Sequence, residues 1–242
     1  MKSAAAPTKV ALTHGETLAE KAYAVLRQDI IRGQRAPGER LRIEKLKAIY
    51  GIGPSPMREA LQRLSSEQLV LAQENRGFSV APLDLDDFAD LNFARVEIEK
   101  IALARSIEIG DADWEARVVA ADYMMNRADS ALQSGAGTLS DDWEAANASF
   151  HTALVSACDS RWLLMTRNNL QDLCERYRRA SIRSGLGQRF TGDEHRQITQ
   201  AVLGRNIALA CKLIDRHFTA TLSTLSQKQA ASGAATPEAI NA

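Results

Sequence analysis

Long apolar runs are missing from this chain. Nothing approaches the roughly 18 uninterrupted apolar residues of a membrane-spanning helix, so no membrane partner is expected. The opening stretch, MKSAAAPTKVALTHGET, lacks the apolar core of a secretion signal, and a cytoplasmic location is expected. Cysteine is scarce too. Cys158, Cys174 and Cys211 are scattered, odd in number and without a CxxC spacing. They read as buried free thiols and argue against a disulfide frame or a cysteine-based zinc module. Net charge is absent, with 30 Lys+Arg against 30 Asp+Glu, but the balance hides an asymmetry. Residues 1–82 carry 13 basic against 8 acidic side chains, and residues 83–242 carry 17 against 22. A basic first third on an acidic remainder suits a nucleic-acid-binding module joined to something else; surface bias alone is the bland alternative. At 242 residues, 45% of them apolar, the chain is long enough for one large or two modest cores.

Two tails, residues 1–15 and 229–242, are small, polar and without an apolar face, and are expected to be disordered. Between them the pattern is almost wholly helical. Thr17 and Glu20 form a capping-box pair ahead of the stripe Leu18, Ala22, Val25, Leu26, Ile30. Ala36–Glu39 is a turn. Ile43, Leu46 and Ile49 mark a short helix, and Gly51–Pro56 leads into another that runs from Pro54 to about Glu67. Leu69–Gln73, Glu74–Gly77 and Phe78–Pro82 read as strand, turn and strand. Pro82 and LDLDD mark a boundary, dividing 16–82 from 83–228. The second part lacks any strand signal. Helices are expected at Asp84–Ile109, Asp113–Gln133, Asp141–Cys158, Arg161–Ser184, Gly192–Gly204 and Asn206–Ser226, with SGAGT and SGLGQ as loops. The expected fold is therefore mainly α. It comprises a winged helix-turn-helix of three helices plus a β-hairpin, then a six-helix antiparallel bundle.

Two short helices with a glycine-containing turn are the minimum for a helix-turn-helix, whose second helix lays its N-terminal residues in the major groove. Ser55 stands where a phosphate or base edge is met. Arg58 is one turn in, within reach of guanine or phosphate, and Arg63 lies farther along as a weaker candidate. Asn75 and Arg76 would be presented by the wing, with Gly77 permitting a tight turn. A small structural domain with a solvated basic face is the alternative.

The second part interrupts its apolar stripes with polar side chains. Asn147 and His151, four residues apart, continue into Leu154, Val155 and Cys158; His195 shares a face with Ile198 and Val202; His217 shares one with Leu213 and Ile214. One histidine on an apolar face is usually a satisfied core residue. Three on separate helices, with an amide one turn from the first, point to a divalent metal site for zinc, nickel, iron or manganese. Open coordination positions would suit a carboxylate-bearing effector. Arg95, between Leu91 and Ile98, is a second anomaly: its partner is either an internal carboxylate, Glu99 or Glu97, or an anionic ligand held bidentately. Arg176 and Tyr177 would add to such a pocket, against the alternative of a solvated basic helix face.

PGERL (Pro37–Leu41), KLKAIYGIGPSPMREALQRLSSEQLV (Lys45–Val70) and NRGFSV (Asn75–Val80) closely resemble the winged-helix domain of the GntR family, most specifically in Pro56-Met57-Arg58-Glu59-Ala60-Leu61. The resemblance implies DNA contacts at Arg58 and Gly77, and also at Ser55 and Arg76. Family members usually carry Ser where this chain has Gly53, and often Arg where it has Pro54, so a helix-cap oxygen and a phosphate contact are expected to be missing. RVEIEKIALA (Arg95–Ala104), FHTAL (Phe150–Leu154), EHRQITQAV (Glu194–Val202) and DRHF (Asp215–Phe218) resemble the FCD effector domain of the FadR subfamily. That likeness implies a metal held by one Asp and three His. The His positions correspond to His151, His195 and His217, but Asn147 stands at the Asp position, a neutral and weaker ligand. Within the subfamily, Asp141–Leu164 and ERYRR are loosely similar to regulators of glutarate and γ-aminobutyrate catabolism. The implied protein is a homodimeric repressor of a catabolic operon, binding operator DNA and a small organic-acid effector, and not an enzyme. Two rivals stay open: a regulator whose bundle only dimerises, and a metal-dependent enzyme with Glu194 as its base.

Overall fold

The computed structural model describes residues 17–73, 77–134, 141–183 and 191–232. The residues expected to form the N-terminal tail, most of the wing tip, most of the SGAGT loop, all of the SGLGQ loop and most of the C-terminal tail lie outside these. Two compact units are present. One extends to Asp84 and takes in Glu175–Ala180; the other holds Leu85–Cys174 and resumes at Ser181.

In the first unit, α1 (Leu18–Ile31) opens on the expected capping box: the Thr17 hydroxyl accepts from the Glu20 N–H at 3.1 Å, and the Thr17 N–H donates to the Glu20 carboxylate at 2.8 Å. Its face of Ala22, Leu26 and Ile30 is buried. A two-residue strand follows, β1 (Arg40–Leu41), then α2 (Ile43–Tyr50), ended by Gly51 at φ +69°, a conformation that glycine adopts without steric cost. The next helix, α3 (Pro54–Ser66), buries Met57, Ala60, Leu61 and Leu64. Strands β2 (Val70–Gln73) and β3 (Gly77–Val80) pair antiparallel, Val70 opposite Val80 and Gln73 opposite Gly77. The sheet order is β1-β3-β2, so the expected hairpin is widened by a strand that Arg40 and Leu41 add against Ser79 and Phe78. Two residues show no alternation, and β1 left no pattern to read.

The second unit is helical throughout its described residues: α4 (Leu85–Ile109), α5 (Ala112–Gln133), α6 (Asp141–Val155), α7 (Arg161–Arg183), α8 (Gly192–Leu203) and α9 (Ile207–Ser232), with residues 175–180 of α7 grouped in the first unit. In its core α4 packs on α9 and α6, α5 on α6 and α8, and α8 on α9. Trp114, Phe150, Leu154, Ile198, Val202 and Ile214 are fully enclosed there. The last helix passes the expected end at Ser226 and enters the stretch read as a tail. Gln227 to Ala231 are good helix formers without an apolar face, so local propensity extends the helix where periodicity stops. No helix among the described residues is long and apolar enough to cross a membrane.

Candidate functional site

The DNA-reading candidates sit on α3 and at the start of β3. Ser55 and Arg58 are exposed in the first two turns of α3, where unpaired backbone N–H groups give the helix end a partial positive charge. Gly53, the N-cap, makes no side-chain cap bond, as its replacement of Ser requires. Arg63 has a different setting. Its guanidinium lies 3.7 Å from the centre of the Tyr23 ring, and its Nε is 3.7 Å from Glu67. Glu67 also accepts from the Tyr23 hydroxyl at 2.7 Å and from Arg27 Nε at 3.2 Å, so Arg63 belongs to a cluster joining α1 to α3. Gly77 begins β3 at φ +85°. Asn75 and Arg76 lie outside the described residues.

The second unit brings its three histidines together. His151 on α6, His195 on α8 and His217 on α9 are buried, and one nitrogen from each lies within 4.8 Å of the others. Their ring centroids are 4.9–6.0 Å apart. Phe150 and Phe218 flank them, each 5.0–5.4 Å from two of the rings. Neither ring nitrogen of His151 has a hydrogen-bond partner, and nor does His195 Nε2. Buried polar atoms are almost always paired, so unpartnered imidazole nitrogens in a cluster this close fit an ion. Two ligands held at about 2.1 Å by one ion are about 3–4.2 Å apart, a small inward shift from the spacing here. Burial, reinforced by the nearby charges of His217, Arg95, His195 and Arg167, pushes His151 well below the ordinary imidazole pKa and keeps it neutral, the form that ligates. Asn147, one turn before His151 on α6, is buried on the same face.

Two carboxylates stand behind the histidines. Asp129 Oδ2 is 2.8 Å from His195 Nδ1, and Glu194 Oε2 is 2.7 Å from His217 Nδ1. Glu194, the residue weighed as a catalytic base, is thus engaged as an orienting partner. Asp129 was missed. Its signal was present in the stripe Trp114, Val118, Met125, Asp129, Leu132, the kind of interruption that exposed the histidines.

Arg95 is buried, its guanidinium 3.8 Å from the centre of the Phe218 ring. The two carboxylates considered as its internal partners each have another cation beside them. Glu99 takes a buried two-pronged bond from Arg167 at 2.8 and 3.0 Å, and Glu97 takes Lys100 at 2.7 Å. Arg176 and Tyr177 fall in the segment grouped with the first unit. There Arg176 Nη2 donates to the Ala81 carbonyl at 2.7 Å, and the Tyr177 hydroxyl accepts from the Asp84 N–H at 3.5 Å.

The first unit, with its glycine-turned helix pair and small wing, has the parts of a winged helix-turn-helix, and the second is a helical unit enclosing three histidines. The comparisons with known proteins agree. Residues 18–80 match the model of the bacterial regulatory proteins of the gntR family, and residues 90–220 match the FCD domain. The chain is 36% identical over 226 residues to the HTH-type transcriptional regulator BphR of Paraburkholderia xenovorans, covering 93% of this chain and 92% of that protein. It is 34% identical over 212 residues to the HTH-type transcriptional repressor GlaR of Escherichia coli, covering 86% and 96%. Its fold is that of the E. coli McbR/YncC structure, with a TM-score of 0.70 at 17% identity over 88% of this chain and 98% of that one. The chain therefore belongs to the GntR family of DNA-binding transcriptional regulators, with an FCD domain, and is not an enzyme.

Proposed function

We propose that this regulator is a homodimeric repressor of a catabolic operon, released from a pseudo-palindromic operator by a small carboxylate bound beside a divalent ion. The observation that carries the reading is the set of bare, buried nitrogens on His151 and His195, gathered with His217 next to Arg95. His151, His195 and His217 would hold the ion, with the Asn147 amide oxygen as a neutral fourth group. Zinc, nickel, iron and manganese all suit imidazole donors. Bound there, the ion supplies a Lewis-acidic centre with positions open to a carboxylate. Arg95, buried and stacked on Phe218, offers that anion a second cationic group. A sensor of a small organic acid serves genes for that acid's breakdown. In the first unit Arg58 and Ser55 would read the operator with Gly77, while Asn75 and Arg76 would enter from the wing. For the effector to release DNA it must bind the low-affinity state more tightly than the operator-bound one.

The effector is sought by a thermal-shift screen of C4–C6 mono- and dicarboxylates against metal-loaded full-length protein. A hit that raises the melting temperature, and whose effect disappears in Arg95→Ala, supports the reading. A screen in which neutral sugars or amines stabilise the protein and no acid does contradicts it.

A further inference from the structure

We propose that Asp129 is the positioning residue of the histidine cluster: it locks His195 in the Nδ1–H form and so turns a free Nε2 lone pair toward the other imidazoles. This rests on the metal-site reading above and assigns it a working part outside the three histidines and Asn147. A carboxylate within an apolar helical stripe is costly unless both oxygens are satisfied. Both are. Trp143 Nε1, which can only donate, bonds Oδ1 at 2.9 Å, and His195 Nδ1 lies 2.8 Å from Oδ2. Asp129 also lies against the start of α8: a Cβ placed on Gly192, the first residue of that helix, would meet Oδ2 at 3.5 Å. An ionised carboxylate accepts and cannot donate, so the proton between the two groups belongs to Nδ1. The tautomer of the neutral ring follows, and it leaves a lone pair on Nε2, which has no hydrogen-bond partner.

The charge balance gives the same residue a second role. Three neutral imidazoles and the Asn147 amide bring no negative charge to a divalent ion. Asp129 and Glu194 both bond rings of the cluster, and Asp129 is the drier of the two: its side chain is 7% exposed against 24%. Such carboxylate–histidine pairs orient the ring and strengthen it as a donor. The rival is that Asp129 only ties α5 to α6 and α8. A mere strut predicts no particular tautomer at His195.

The test uses full-length, chelator-stripped protein and its Asp129→Asn and Trp143→Phe variants, with folding checked by circular dichroism. Nitrogen-15 NMR of the histidine rings reads the tautomer without any metal. His195 should be Nδ1–H in the parent protein. In Asp129→Asn the amide has one oxygen for two donors, so the lock should be lost or reversed. Titration with Co²⁺, followed by its visible absorption, should show affinity down roughly 10–100-fold in Asp129→Asn. Trp143→Phe, which leaves the carboxylate but removes one of its bonds, should lose a few-fold, and it carries the test if Asp129→Asn does not fold. His195 found as Nε2–H in the parent, or Co²⁺ affinity unchanged in a folded variant, overturns the proposal. A parent protein that binds no Co²⁺ while showing the Nδ1–H form overturns the metal reading and leaves the positioning role of Asp129 standing.

Discussion

Replacing Arg58 by alanine removes an exposed guanidinium from the second turn of α3 and leaves the buried Met57 and Leu61 face untouched. Operator affinity should fall by about 1–3 kcal/mol with no change in melting temperature, as measured by fluorescence anisotropy on a selected operator. Glu67 should behave in the opposite way. Its carboxylate gathers Tyr23, Arg27 and Arg63 across two helices, so Glu67→Ala should cost about 1–2 kcal/mol of stability in urea unfolding. Arg63, read from its helical position as a weaker DNA contact, belongs to this structural cluster. Sequence spacing placed it on α3 but carried no information about Tyr23, 40 positions away. His151 makes a pH prediction. Its folded pKa lies well below the ordinary 6.5, so the unfolded chain binds a proton that the folded one refuses. The stability of chelator-stripped protein is therefore full above about pH 6.5 and should decline as pH falls toward the folded value. His151→Phe should flatten that decline in melting curves taken from pH 7.5 to 5.

The starts of α1 and α3 were legible because each carries its own punctuation: Thr17 and Glu20 announce α1, and Pro54 opens α3. The cap of α5 was not read: the Asp111 side chain accepts from the Trp114 N–H at 2.8 Å, and the helix begins one residue before the expected Asp113. The elements that escaped are those without a local period: β1, two residues long, exists only because β3 offers it a partner. Gly110, between α4 and α5, is another feature invisible in a pattern. A Cβ there would come within 2.2 Å of the Trp114 ring and 2.6 Å of the Ser106 carbonyl. Arg205 closes the same corner, donating to the Ile107 and Gly110 carbonyls at 2.6 and 2.9 Å. Gly110→Ala should therefore destabilise the helical unit by roughly 1–3 kcal/mol, seen as an earlier thermal transition, although alanine is the better helix former.

At the scale of the whole molecule, the charge asymmetry along the chain was the first sign of a nucleic-acid-binding module joined to a second part, and the gntR-family match over residues 18–80 falls on the basic third. The three clustered histidines were legible because each breaks an apolar stripe on its own helix. Asp129 breaks one as well, but its meaning depends on α5 lying against α8, which no single helix reveals. A basic module binding DNA through phosphates should show affinity falling steeply with salt, and Arg58→Ala should reduce the log–log slope by about one if Arg58 meets a phosphate.

The most direct measurement is elemental analysis of protein purified without chelator, compared with His151→Ala prepared in parallel. About one divalent ion per chain in the parent and little in the variant is the predicted result, since three inward-facing imidazoles supply the ligands. Equal metal content in the two proteins would contradict a sensing site built on these histidines.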